Sequence, residues 1–182
     1  MIHLYSGNGR GKTSIAIGTA IRMAGANRPV LFAQFMKGND TSELAVLQGL
    51  SGVRVLRVEE QFPFYKHMSE QDKQAITQYH NEILSKIMQE VSKYAKETKE
   101  DDLGTPVCLV VLDEVTYPLQ YGLMNQELFH QFLDTIPDCV ELIMTGRNPS
   151  EKLMQVCDYW SELEMQKHPY EKGIMARKGI EY

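Results

Sequence analysis

Ser6-Gly7-Asn8-Gly9-Arg10-Gly11-Lys12-Thr13 follows a short apolar run, Ile2 to Tyr5, and leads into a helical pattern, Ser14 to Ala24. In the order strand, glycine-rich turn, helix, successive backbone N–H groups can wrap phosphate oxygens while the helix N-terminus points at the same anion. Lys12 adds a point positive charge, and Thr13 offers a hydroxyl to a Mg²⁺ ion. The general phosphate-loop pattern is Gly-x-x-x-x-Gly-Lys-Ser/Thr. Gly11-Lys12-Thr13 fit its end, but Ser6 stands at the opening glycine's place and Gly7 comes one residue later, so the loop is a variant. A glycine-rich turn can also be nothing more than a tight connection. The lysine, the hydroxyl and the flanking elements together favour an NTP or another polyphosphate as ligand.

The rest of the chain continues the alternation. Lys12 to Gly25 reads as the first helix, with Ile15, Ile17, Ala20, Ile21 and Ala24 as its apolar positions and Gly25 as a left-handed cap. Val30 to Phe35 is an almost continuous apolar run, the pattern of a parallel strand covered on both faces. It ends in Met36-Lys37-Gly38, on the phosphate-loop side of a parallel sheet, which makes Lys37 a candidate site residue. A helix from Ser42 to Leu50 and a strand from Val53 to Val58 follow. Gln61-Phe62-Pro63-Phe64-Tyr65 then places aromatics in a loop, where they can either cover a flat ligand or anchor the loop by packing inward. The longest helix runs from Ser69 to about Lys99. Ser69 and Asp72 form a capping box, and Ile76, Tyr79, Ile83, Leu84, Ile87, Val91, Tyr94 and Ala95 make an apolar stripe. Lys96 to Asp102 reads as a solvated charged run.

Val107 to Leu112 is a buried apolar strand that ends in Asp113-Glu114, two acids placed to hold Mg²⁺ opposite the phosphate loop. A helix from Asn125 to Leu133, a strand from Val140 to Met144 and Thr145-Gly146-Arg147 come next, Arg147 being well placed to meet a phosphate. A helix from Ser150 to Val156 and an outer strand from Tyr159 to Met165 precede Lys167-His168-Pro169, a turn and a short last strand. His168 reads as structural. The fold class is therefore α/β, a single domain over 1–182 of phosphate-loop NTPase (RecA-like) type with a largely parallel sheet flanked by helices.

Composition narrows the partners. In 182 residues, 19 Lys and Arg face 24 Asp and Glu, for a net charge of −5, which argues against a nucleic-acid partner and a DNA-dependent ATPase. No apolar run approaches the roughly 20 residues that span a bilayer, so no membrane association is expected. Met1 leads almost directly into the phosphate loop, so no secretory leader is expected either. Cys108, Cys139 and Cys157 form no Cys-x-x-Cys pair and read as small buried thiols, which fits a cytoplasmic location.

Several separated stretches together resemble one family, the ATP:corrinoid adenosyltransferases of the phosphate-loop type. They are Gly7 to Thr13, Gly18 to Gly25, Gln34 to Gly38, Val110 to Glu114, Thr145 to Arg147, Lys167 to Gly173 and Gly179 to Glu181. The resemblance implies that Co(I) of a reduced corrinoid attacks the ribose C5′ of ATP and that triphosphate leaves, in adenosylcobalamin biosynthesis or salvage. It also implies that ATP lies reversed, with its γ end on the loop. The implied ATP contacts are Gly7, Asn8, Gly9, Arg10, Gly11, Lys12, Thr13 and Arg22, with Thr13, Glu114 and Asp113 at Mg²⁺. Lys12 and Arg147 would stabilise the departing triphosphate, and Phe62 and Phe64 stand where family aromatics displace the lower cobalt ligand. A reductant such as a flavoprotein and a homodimer are further implications. The competing readings are a small-molecule kinase or ATPase, which would form ADP, and a non-catalytic ATP-binding regulatory module.

Overall fold

The computed structural model describes residues 1–37, 41–97 and 105–181. Gly38 and residues 98–102 of the charged run lie outside them. Among the described residues there are six strands: β1 (Ile2–Ser6), β2 (Val30–Gln34), β3 (Val53–Arg57), β4 (Cys108–Asp113), β5 (Val140–Thr145) and β6 (Tyr159–Glu162). Between and after them come the helices α1 (Lys12–Gly25), α2 (Glu43–Gly49), α3 (Glu70–Glu97), α4 (Thr116–Gln120), α5 (Gln126–Thr135) and α6 (Glu151–Val156). The strands form one sheet in the order β3-β2-β4-β5-β1-β6, and every neighbouring pair is parallel. The α/β reading thus holds, with a wholly parallel described sheet.

Both faces of the sheet are covered, as the continuous apolar runs require. Cys108, Val110 and Leu112 of β4 point to one side, with Leu31 and Ala33 of β2, against Leu84 and Ile87 of α3 and Phe129 and Phe132 of α5. The alternate residues Leu109 and Val111, with Val30 and Phe32, point to the other side against Ala16 and Ala20 of α1 and Leu47 of α2. Neighbouring registers put Tyr5, Thr145, Asp113 and Gln34 in one row near the carboxyl ends of β1, β5, β4 and β2. That row builds the site. β6 is an exposed edge strand.

Local signals account for the starts of α3 and α5. The Ser69 backbone N–H donates to Asp72 Oδ2 at 2.8 Å and the Asp72 N–H donates to Ser69 Oγ at 3.1 Å, a reciprocal capping box at α3. Asn125 caps α5 by accepting from the Leu128 N–H at 3.1 Å.

The structure also corrects details. α1 buries Ala16 and Ala20, spaced by four from Lys12, while Ile21 is exposed. The small residues let α1 lie close to the sheet, and the larger Ile21 is left outside. The left-handed residue that ends this helix is Asn27 (φ 57°), not Gly25. α4, absent from the sequence reading, is a short helix whose Pro118 sits in its first turn, where a missing N–H costs nothing. The chain after Lys167 forms a 3₁₀ turn, Pro169–Lys172, and no strand among the described residues. His168 accepts from the Tyr170 N–H at 3.1 Å through Nδ1, the structural role read for it.

Candidate active site

The phosphate loop is folded against the segment that leaves β6. Leu163 N–H donates to Ser6 O at 2.8 Å and Gly9 N–H donates to Leu163 O at 2.7 Å. A Cβ on Gly7 would stand 2.4 Å from Leu163 O, and one on Gly9 2.7 Å from the same oxygen. The shifted glycines are therefore demanded by a crossing backbone as well as by any phosphate. Ser6, in the opening glycine's place, is fully buried and accepts from the Trp160 indole N–H at 2.8 Å. Asn8 Oδ1 accepts from Met165 N–H at 2.9 Å. Arg10 bonds Ile180 O and pairs with Glu181 at 3.5 Å. Asn8, Gly9 and Arg10 thus spend their polar groups on the C-terminal segment, an arrangement hidden from sequence because the partners lie over 150 positions away.

Gly11 (φ 115°) ends the loop and starts α1, and Lys12 turns its side chain back into the loop. Its Nζ donates to Gly7 O at 2.7 Å and Gly9 O at 2.8 Å. Lys12 is buried, and burial draws its pKa below the usual lysine value, opposed chiefly by the charge of Glu114.

Beside the loop stands a cluster centred on Asp113, which is fully buried. Thr13 Oγ1 donates to Asp113 Oδ1 at 3.0 Å, and Thr145 Oγ1 donates to the same oxygen at 2.7 Å. Lys37 Nζ donates to Asp113 Oδ2 at 2.7 Å and to Thr13 Oγ1 at 3.1 Å. Lys37 is thus joined to the residues read as metal ligands. Glu114 lies just past β4 in a left-handed conformation (φ 61°), its N–H bonded to Thr145 Oγ1 at 2.9 Å. For a residue other than glycine that backbone is strained, and it turns the carboxylate away from the strand line. Burial raises the Glu114 pKa, Asp113 adds to the rise, and Lys37, Lys12 and Arg147 oppose it. Its Oε2 is buried without a hydrogen-bond partner.

Arg147 is exposed at the end of β5, with its N–H on Thr116 Oγ1 at 2.8 Å, close enough for its charge to act on Lys12 and Glu114. Gly146 precedes it because a Cβ there would fall 1.9 Å from Thr116 Oγ1. The loop, Thr13, Asp113, Glu114 and Arg147 therefore converge. Arg22 does not join them within this chain. It is exposed in the last turn of α1, ten residues beyond Lys12 and about 15 Å along the helix.

From Gln34 and Lys37 a cleft of about 550 Å³ opens toward the aromatic loop. The two aromatic rings differ in their packing. Phe62 is half-buried, edge-on to Tyr79 at 6.2 Å and packed on Met68, Ile76 and Leu123. Phe64 is 87% exposed at the cleft. His80 also lines this cleft and was missed by sequence reasoning. It is wholly buried, in the stripe position given to Tyr79, which is 37% exposed and bonds Glu60 at 2.9 Å. Its spacing of four from both Ile76 and Leu84 was the available signal. His80 Nδ1 donates to Leu123 O at 2.8 Å, and burial lowers its pKa, with the bond to Leu123 opposing.

The residues fit Mg²⁺ in one respect. Glu114 presents an unpartnered buried oxygen, and its neighbour in sequence, Asp113, accepts from the Thr13 hydroxyl. Among the described residues no three His, Cys, Asp or Glu side chains gather into a site that could hold a metal by themselves. A site that relies on one or two carboxylates plus substrate phosphates is the usual arrangement for Mg²⁺.

Comparison with known proteins agrees with this geometry. The corrinoid adenosyltransferase of Escherichia coli K12 is 31% identical over 182 residues, covering 100% of this chain and 85% of that protein. Corrinoid adenosyltransferase CobA of Salmonella typhimurium is 30% identical with the same coverage. The Pseudomonas aeruginosa corrinoid adenosyltransferase is 28% identical, over 98% of this chain and 82% of that one. In three dimensions the chain is similar to EssC ATPases 2 and 3 from Geobacillus thermodenitrificans, with a TM-score of 0.54 at 16% identity, over 98% of this chain and 34% of that chain. That likeness bears on the fold alone. The model of the family ATP:corrinoid adenosyltransferase BtuR/CobO/CobP matches residues 1–182, and the chain belongs to that family.

Proposed function

We propose that the protein transfers the 5′-deoxyadenosyl group of ATP to the Co(I) of a reduced corrinoid and releases inorganic triphosphate. The cobalt lone pair forms the Co–C5′ bond, the C5′–O5′ bond breaks, and its electrons leave on the triphosphate. Cobalt goes formally from Co(I) to Co(III). The observation that carries this reading is the cleft: it joins the Thr13–Asp113–Lys37 cluster to an aromatic loop, so a broad ring system can meet a sugar whose phosphates lie on the loop.

The chain's task is to receive charge. Lys12 and the loop N–H groups between Gly7 and Gly11, apart from that of Gly9, which is taken by Leu163 O, hold the γ end of a reversed ATP, and Arg147 reaches the developing triphosphate from the end of β5. Mg²⁺ would be held by Thr13 and Glu114, with Asp113 beside them, and would neutralise phosphate charge. The nucleophile belongs to the substrate, so a serine, cysteine or histidine nucleophile is not needed. Arg22, remote within this chain, is proposed to contact nucleotide as part of a homodimer. The residues 1–182 are taken as one cytoplasmic domain that receives electrons from a reduced flavoprotein or similar donor. Among the described residues no helix is long and apolar enough to cross a membrane.

The test is anoxic incubation with ATP, Mg²⁺ and chemically reduced corrinoid, following the light-sensitive cobalt–carbon product. Formation of ADP and a phosphorylated acceptor would favour the kinase reading. ATP binding without turnover would favour the regulatory module.

The aromatic pair should separate in experiment. Phe64→Ala removes an exposed ring, so stability should hold while the reaction starting from Co(II) with a reductant falls more than the reaction with preformed Co(I). Phe62→Ala should in addition cost roughly 1.5–2.5 kcal/mol of stability, about half the effect of losing a fully buried ring. Urea melts and paired assays from the two cobalt states check both. Equal losses from Co(II) and Co(I) would assign Phe64 no part in preparing cobalt.

A further inference from the structure

Lys37 stands where a cation is wanted. It follows Met36, whose backbone is left-handed (φ 54°), at the end of β2. Its ammonium reaches both Asp113 Oδ2, at 2.7 Å, and the Thr13 hydroxyl, at 3.1 Å. Those are groups that the proposed function gives to the environment of Mg²⁺. Asp113 is fully buried, and a buried carboxylate needs a positive partner at all times. A divalent ion on Thr13 would crowd the ammonium within a few ångströms, and two cations so close in a poorly solvated site repel strongly. The two occupants therefore exclude each other.

An exit is at hand. Glu43 Oε1 lies 3.6 Å from Lys37 Nζ, and Lys37 also borders the cleft. The side chain is 21% exposed, so its last carbons can swing without disturbing the core. Glu43 is held by Gln34, whose amide donates to it at 3.3 Å and reaches Asp113 Oδ2 at 3.5 Å. One glutamine thus spans the two carboxylates between which the ammonium would move.

We propose that Lys37 is a built-in cation that neutralises Asp113 in the nucleotide-free protein and yields its place, turning toward Glu43, when a divalent ion arrives with the triphosphate. The proposal rests on the loop being an ATP site, but not on adenosyl transfer. With metal withheld, Lys37 remains beside Thr13 and partly replaces the metal for the terminal phosphate. Without Lys37, ATP lacking metal would face an uncompensated Asp113 carboxylate.

The experiment is calorimetric binding of ATP to the whole chain without corrinoid, once with EDTA and once with Mg²⁺. The quantity read is the ratio of the two dissociation constants. In Lys37→Met this ratio should rise about tenfold or more over wild type, while affinity with Mg²⁺ stays within about threefold. Lys37→Arg keeps the charge and should keep a ratio near wild type. Should Lys37→Met fail to fold, Lys37→Gln, whose amide can still donate to Asp113, should show the same rise. An unchanged ratio in the neutral variants overturns the proposal, whether both affinities fall together, as for a simple phosphate contact, or neither moves. A wild-type protein that binds no ATP would overturn it along with the functional reading. One that binds ATP with the expected ratios but alkylates no corrinoid would leave it standing and defeat adenosyl transfer alone.

Discussion

Lys12→Ala should all but abolish adenosyl transfer, lowering the single-turnover rate with preformed Co(I) corrinoid by at least about a hundredfold, the usual scale for losing one preorganised charge-stabilising donor. The lysine is buried and gripped by Gly7 O and Gly9 O, so its charge is fixed in the loop before substrate arrives. It is the nearest such cation to a triphosphate resting there. Stability should not fall in parallel, because burial already works against the charged form of Lys12. Near-normal turnover in a folded Lys12→Ala protein would contradict the role given to the loop. Rapid-quench measurement of triphosphate provides the check.

Gly7→Ala should be almost as damaging for a different reason. Gly7 has φ 105°, a conformation that costs an L-residue roughly 1–2 kcal/mol. The new methyl would also meet Leu163 O at 2.4 Å. That oxygen belongs to a backbone fixed by its bonds to Ser6 and Gly9, so it cannot yield without releasing the loop. ATP affinity should drop about tenfold or more, with a fall of several degrees in Tm. Gly18→Ala is the control: a Cβ there meets nothing within 4 Å, and alanine suits the helix interior, so binding should be unchanged. Calorimetric ATP binding and thermal melts of both variants decide the matter. Unaltered ATP affinity in Gly7→Ala would mean that the loop tolerates displacement from Leu163.

The elements most legible in the sequence were those whose signals lie side by side. The strand-loop-helix of Ile2 to Gly25 and the apolar strand ending in Asp113 carry their pattern in consecutive residues, and these elements are present, although α1 buries Ala16 and Ala20 and is ended by Asn27. The α3 capping box is likewise local, and its bonds are present. What escaped the sequence depends on distant partners. Nothing near Gly7 announces that Leu163 crosses it, and nothing near Arg10 announces Glu181. The buried stripe of α3 admits His80 and turns Tyr79 outward, because a histidine bonded to the Leu123 carbonyl can be buried while a tyrosine hydroxyl is better placed beside Glu60. α4 is too short for periodicity to show, and the chain after Lys167 bonds to itself and the loop instead of extending the sheet. At Phe62 and Phe64 the sequence left inward packing and an exposed position equally open, and the fold packs Phe62 inward and leaves Phe64 exposed at the cleft.

The central claim is that the loop holds a triphosphate that departs whole. Phosphorus NMR of a reaction with ATP, Mg²⁺ and chemically reduced corrinoid under anoxia tests it most directly. One inorganic triphosphate is expected for each cobalt–carbon bond formed, with ATP consumption tied to corrinoid. ADP and phosphate as the products, or ATP consumption indifferent to corrinoid, would contradict it.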